Sequence, residues 1–198
     1  MSKPFSQACE NNKQPILDKL LVHFRQASRV LEIGSGTGQH AVFFAKNLPH
    51  LQWHCSDMPA NHAGINQWLA DYPSANLHAP VPFTIGQDSW PLELVVDKVD
   101  AVFSANTTHI MQRSEVPIMF DLIQKNLPEG GIFCQYGPFN VNGDYTSDSN
   151  RDFNQYLISQ GCGGLWDIAD LQVLVSGLDL LHQYALPANN KLLIWQKC

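Results

Sequence analysis

Glu32, Gly34, Gly36 and Gly38 occupy alternate positions in the run Val30-Leu31-Glu32-Ile33-Gly34-Ser35-Gly36-Thr37-Gly38, a pattern suited to holding a ligand against backbone. Glycine lacks a Cβ, so the chain can turn through φ > 0 there and bring N–H groups close to a bound molecule. The apolar stretch before the turn predicts a strand. Residues 39–48 after it predict a helix whose first free amides point at the same molecule. The spacing then narrows the ligand. A dinucleotide turn reads G-x-G-x-x-G/A, whereas here Gln39 takes the third small position and the last glycine comes one residue early, at Gly38. A P-loop requires G-x-x-x-x-G-K-[ST], yet no Lys or Arg occurs between Arg29 and Lys46. A loop without a cation suits a ligand without phosphates.

Other polar residues fall where predicted strands end. Asp57 closes the second strand about twenty residues beyond the turn, where a carboxylate can accept hydrogen bonds from ribose hydroxyls; otherwise it caps the turn Ser56-Asp57-Met58-Pro59. Met58 offers either a soft contact to a base or a core side chain. His109, after the fourth strand, is placed to act as a base toward an acceptor, and Tyr136, at the end of the fifth, to orient one; a buried structural role is the alternative for the histidine. No metal site is expected, because the eight histidines form neither H-E-x-x-H nor a Cys/His cluster.

Composition sets the frame for these residues. A chain of 198 residues with 44% apolar and 15% charged content is predicted to be one globular domain spanning 1–198. Its formal charge of −6 argues against nucleic-acid binding. The N-terminus lacks an apolar signal region, and no run approaches a membrane span. Cys9, Cys55, Cys134, Cys162 and Cys198 are scattered and odd in number, which predicts a reducing cytoplasmic location without disulfides.

The elements that must position these groups alternate between strand and helix, as in a parallel sheet covered on both faces. Helices are predicted near 14–25 (with Pro15 in its first turn), 39–48, 63–71, 115–126, 149–159 and 167–176. Strands are predicted at 29–33, 51–55, 99–104 and 132–136. A further strand after 71 is interrupted by Pro80 and Pro82, which suits an edge. The closing runs 179–186 and 191–197, joined by Pro187-Ala188-Asn189-Asn190, read as an antiparallel hairpin.

The E-x-G-x-G-x-G turn resembles motif I of the class I S-adenosylmethionine-dependent methyltransferases, and the terminal hairpin resembles their reversed last strand. Phe5-Ser6-Gln7-Ala8-Cys9-Glu10-Asn11-Asn12-Lys13-Gln14-Pro15-Ile16-Leu17, Tyr136-Gly137-Pro138-Phe139 and Thr146-Ser147-Asp148-Ser149-Asn150 with Phe153 resemble the small DUF938 (UPF0585) group, the methyltransferase-like protein 26 group. The resemblance implies an α/β, Rossmann-like class I methyltransferase fold: a mostly parallel seven-stranded sheet with a C-terminal antiparallel hairpin and helices on both faces. It implies methyl transfer from S-adenosylmethionine, leaving S-adenosylhomocysteine, to an unidentified small-molecule or protein acceptor. A catalytically silent cofactor binder and an NAD-dependent oxidoreductase are the rivals.

On this resemblance Gly34, Ser35, Gly36 and Gly38 pass under the methionine part of the cofactor. Glu32 braces the turn or reaches the cofactor's amino group. Asp88 binds the adenine amine, with Trp90 packed beside it or serving as an ordinary aromatic anchor, and Asn106 lies near the transferred methyl. Residues 1–28 form a cap segment in which Asn12 and Lys13 cover the site. Residues 137–166 form an acceptor-side insertion, with Thr146, Ser149 and Asn150 lining the acceptor pocket or serving as turn and cap. The group often reads Gly-Leu-Arg-Asp where this chain has Gly164-Leu165-Trp166-Asp167.

Overall fold

The computed structural model describes residues 3–91 and 98–198. Helices α1 (Gln7–His23), α2 (Gln39–Asn47), α3 (Pro59–Asp71), α4 (Glu115–Asn126), α5 (Asp148–Ser159) and α6 (Ile168–Leu174) surround one seven-stranded sheet. Its strands are β1 (Arg29–Ile33), β2 (Gln52–Asp57), β3 (Leu77–Pro82), β4 (Ala101–Ala105), β5 (Ile132–Gly137), β6 (Leu178–Leu186) and β7 (Asn190–Lys197), in the order β3-β2-β1-β4-β5-β7-β6. Strand β7 inserts between β5 and β6 and pairs antiparallel with both; the other pairings are parallel.

Alternation along the strands divides the core in two. Leu31, Ile33, Val102, Phe133 and Trp195 pack against α4 and α6 on one face. Val30, Trp53, Phe103, Cys134 and Ile194 pack against α1, α2 and α3 on the other. Both faces of the central strands are therefore dry, and their polar residues gather where the strands end.

Several boundaries differ from the sequence reading, α3 by starting at Pro59 and β4 by running from Ala101 to Ala105 among them, and two have a physical reason in side-chain and strand contacts. Helix α1 begins at Gln7, two turns before the expected start, because the Ser6 side chain caps it by accepting the Cys9 N–H; Pro15 lies inside the helix. Strand β2 continues through Ser56 and Asp57 because both remain paired with β3, at Val81 and Pro82. The prolines leave β3 at the sheet edge, as expected.

Candidate functional site

Strand order reverses between β1 and β4, and ligands of open α/β sheets bind beyond the carboxyl ends at such a switch point. A cavity of about 440 Å³ opens there. Its floor is the glycine turn. Gly34, at φ +75, lies so close to β4's exit that a Cβ would stand 2.3 Å from Thr107 Cγ2. Gly38 is left-handed and starts α2, with the α3 backbone at Ile65 3.2 Å from where a Cβ would be. The turn is pinned to β2 by the Gly34 and Ser35 amides, both donating to Ser56 O at 3.0 Å.

Glu32 lies beneath this turn, 2% exposed and outside the cavity wall. Ser35 Oγ donates to its carboxylate at 3.0 Å and Trp53 Nε1 at 3.1 Å. Burial pushes its pKa up to about 7 despite those donors, with Asp57 adding to the rise. Its contacts are those of a brace. Asp57 does line the cavity. Its Oδ2 accepts the Gly36 N–H at 2.7 Å, and Oδ1 accepts the Met58 N–H and Asn61 Nδ2, each at 2.7 Å. Met58 forms part of the wall and is 50% exposed, so it is not core.

Asn106 lines the opposite side in a left-handed conformation, its amide bonded to Tyr136 O at 2.9 Å. Phe83, Thr84 and Ile85, after β3, close the far end with Ile110 and Met111. Asp88 and Trp90 are not on the wall. Asp88 folds back to accept the Thr84 N–H at 2.7 Å, which shapes the loop presenting Thr84 and Ile85. Trp90 is buried edge-on against Phe83, as the aromatic anchor of that loop.

The two residues expected to be catalytic are also off the wall. His109 is buried, with Phe153 edge-on at 5.5 Å, and burial holds its pKa near 4, so it is neutral at pH 7. Tyr136 is 2% exposed; burial raises its pKa while Asn12 and Asn190 bond its hydroxyl. Asn12 is part of a buried relay beneath α1, its Oδ1 accepting from His40 Nε2 at 2.6 Å. Lys13 pairs with Glu10 and lies 5.0 Å over Phe43. Thr146, Ser149 and Asn150 form a hydrogen-bonded turn around the Ser147 cap of α5 rather than a cavity wall: Ser147 Oγ accepts the Asn150 N–H, Asn150 Nδ2 donates to Thr146 Oγ1 and Asn189 O, and Ser149 Oγ meets Ser147 Oγ.

Among the wall residues that the sequence reading did not name are Ser6, Cys9 and His40, together with the loop residues Phe83, Thr84, Ile85, Ile110 and Met111. The N-terminal segment reaches the site because Ser6 N–H donates to Gln39 Oε1 at 2.6 Å, while Gln39 Nε2 donates to Glu10 Oε1 at 2.8 Å. The signal for His40 was available: a polar residue in the first turn after the last glycine of the run. Gln39 thus ties the cap segment to the turn.

A larger hollow of about 830 Å³ lies at the other end of the sheet, between α1 and the Pro128–Gly131 turn. It is at the amino ends of the strands, so the switch-point cavity is the better candidate. Among the described residues no three His, Cys, Asp or Glu side chains are grouped to hold a metal ion, and no helix is long and apolar enough to cross a membrane.

A family model described as "Protein of unknown function (DUF938)" matches residues 3–197. Among solved structures, human N-acetylserotonin methyltransferase in complex with SAM is 13% identical, with 96% of this chain and 53% of that one covered at a TM-score of 0.80. An O-methyltransferase family protein from Burkholderia thailandensis is 18% identical, with coverage of 96% and 57% and a TM-score of 0.78. An O-methyltransferase family 2 protein from Planctomyces limnophilus, in complex with apigenin, is 14% identical, with coverage of 95% and 62% and a TM-score of 0.74. The chain spans little more than half the length of these proteins. The likeness shows a Rossmann-like class I methyltransferase fold.

Proposed function

The chain belongs to the DUF938 family, and from that premise and the geometry of the switch-point cavity we propose that it is an S-adenosylmethionine-dependent methyltransferase. The observation that carries this is the donor set of the cavity. A glycine turn without a Lys or Arg on the wall faces Asp57, whose Oδ2 has one hydrogen bond and room for a second. Such a set suits a nucleoside with a free ribose diol and a positive centre, and it does not suit a pyrophosphate.

In this reading Asp57 takes a ribose hydroxyl, and the wall of Phe83, Ile85 and Met111 holds the adenine. Gly34, Ser35, Gly36 and Asn106 border the methionine end, with Gly38 setting the start of α2 behind them. Glu32 holds the turn from below. Asp88 and Trp90 act on adenine through the loop they shape. When bound, the cofactor supplies a methyl group on a sulfonium, an electrophile that needs an acceptor in line and little acid catalysis. His109 and Tyr136 support the acceptor side by fixing the Thr107–His109 turn and β5. Residues 137–166 form the acceptor-side insertion, in which Thr146, Ser149 and Asn150 bond around the start of α5 that Ser147 caps. Residues 3–28, carrying Asn12 and Lys13, cap the site. The motifs at residues 5–17 and 136–153 support placement in the methyltransferase-like protein 26 group. Five free cysteines support a reducing cytoplasmic setting.

Glycine spacing does not by itself set aside NAD, because a reading frame starting at Gly36 ends on Ala41. The reversed β7 supports the methyltransferase reading over that rival, because the doubly wound dinucleotide-binding sheet is built from parallel βαβ halves. Calorimetry with S-adenosylhomocysteine and NAD tests the proposal. Binding of the first and not the second is expected, and NAD binding alone would overturn it. A cofactor binder without turnover would show binding but no methyl transfer to any acceptor.

A further inference from the structure

Resting on that reading, the same walls say what can receive the methyl group. The charged side chains on the cavity wall, among the described residues, are Asp57 and Glu115, both acidic. Residues 92–97 read Leu-Glu-Leu-Val-Val-Asp and contain no cation in sequence either. The lip is apolar: Met58 and Ile110 line the cavity yet remain 50% and 55% exposed, and Phe5, beside the wall residue Ser6, is 60% exposed.

Among the described residues, the wall's histidine and thiol are also unfit to act as a base at neutral pH. His40 is its one histidine; Nε2 is committed to Asn12, and burial holds the ring's pKa near 4. The Cys9 thiol is pushed up by burial, so it stays protonated. Glu115 accepts the Gln112 N–H at 2.8 Å, and Asp57 is engaged as described. Glu32 lies under the turn, and His109 and Tyr136 are off the wall.

We propose that the acceptor is an uncharged, apolar organic thiol that docks against Met58 and Ile110 and ionises without help from the protein. A carboxylate or phosphate would enter a site with two acidic side chains and, among the described residues, no Lys or Arg to pair with it. A hydroxyl would need a base that the wall's histidine and thiol do not provide. A thiol of pKa about 8.5 is already about one-tenth thiolate at pH 7.5, whereas a phenol of pKa about 10 is below about one-hundredth. The thiol first releases its proton to solvent. A sulfur lone pair then forms the new S–CH₃ bond as the methyl–sulfonium bond breaks, and that bonding pair remains on the cofactor's sulfur, which becomes neutral. The products are a methyl thioether, S-adenosylhomocysteine and one proton in water.

The test uses the full chain with S-adenosylmethionine and four acceptors: benzyl mercaptan, thiophenol, phenol and a carboxylated thiophenol. Calorimetry with S-adenosylhomocysteine is run on the same preparation. Methylation of the two uncharged thiols is expected, with phenol and the carboxylated thiol at least about tenfold slower. The inflection of the kcat/KM pH profile should move with the acceptor's own pKa. Ile110→Lys, which adds a cation at the lip, should raise the rate on the carboxylated thiol relative to thiophenol. Three outcomes overturn the proposal: preference for phenol or the acidic thiol, an inflection that stays fixed across acceptors, or no transfer to either uncharged thiol by protein that binds S-adenosylhomocysteine. Absence of that binding instead overturns the cofactor reading beneath it.

Discussion

The carboxylate of Asp57 accepts the Gly36 amide at 2.7 Å, which locks the end of β2 to the glycine turn after β1. Oδ1 of the same side chain is filled by the Met58 N–H and Asn61 Nδ2. Oδ2 carries only Gly36, so the residue shapes the turn and still has one acceptor position on the cavity wall.

Asp57→Ala removes the ribose acceptor and the brace together. S-adenosylmethionine affinity should fall at least about tenfold, or about 1.4 kcal/mol. Isothermal calorimetry measures it. Unchanged affinity would make Asp57 a turn cap only.

Gly34→Ala places a methyl group 2.3 Å from Thr107 Cγ2 at a residue with φ +75. The left-handed backbone alone costs about 1–3 kcal/mol for a non-glycine residue, and the clash adds to it. Adding Thr107→Ser removes the clashing methyl but not the backbone strain. The double variant should therefore recover part of the lost thermal stability, and full recovery would show that the turn tolerates alanine.

Stability should rise between pH 4.5 and 6.5. His40 and His109 have pKa values near 4 in the fold and near 6.5 when unfolded. In that window the unfolded chain binds protons the fold refuses, so each ring costs up to about 3 kcal/mol as pH falls. Glu32 runs the other way: its pKa is raised to about 7, so its contribution to stability is lost as pH rises from 4.5 toward 7. His54, half-buried and also held near 4, adds to the two rings, so three histidines oppose Glu32 below pH 6.5; of these four groups Glu32 alone acts just above it, which puts the maximum near pH 6.5. His109→Phe keeps an aromatic ring against Phe153 and should shrink the difference in urea midpoint between pH 5 and pH 7, while leaving S-adenosylhomocysteine affinity within about twofold. An unaltered pH difference would show that His109 titrates normally in the fold.

What could be read from the sequence was what is local. The glycine turn, Asp57, Asn106 and the hairpin are written in spacing, breakers and strand ends, and the sheet forms around them. What could not be read depends on distant chain. Pro15 looked like a helix start because nothing local shows that Ser6 caps α1 while bonding Gln39, 33 residues away. Asp88 took its adenine role from resemblance, but its carboxylate closes its own loop on Thr84. His109 is close to the site in sequence order, yet the turn after β4 directs it beneath Phe153.

Trp166 packs against a guanidinium that comes from another part of the chain. Arg113, just before α4, lies 4.3 Å over the Trp166 ring. Its Nε donates to Gly163 O at 2.9 Å and Nη2 to Leu165 O at 2.7 Å. One planar group thus stacks on the indole and forks onto two carbonyls, which ties the 163–166 segment to the loop that contributes Ile110 and Met111 to the cavity. Lysine cannot reproduce the fork or the stacking plane. Arg113→Lys should therefore destabilise the fold by about 1.5–3 kcal/mol, the range for hydrogen bonds to a charged group. It should also speed amide exchange at Gly163, whose N–H is bonded to Met111 O at 3.0 Å. Trp166→Leu removes the stacking but leaves the fork, so it should cost less and leave that amide protected. Equal exchange at Gly163 in the two variants would show that the ring, not the pair of carbonyl contacts, holds the segment.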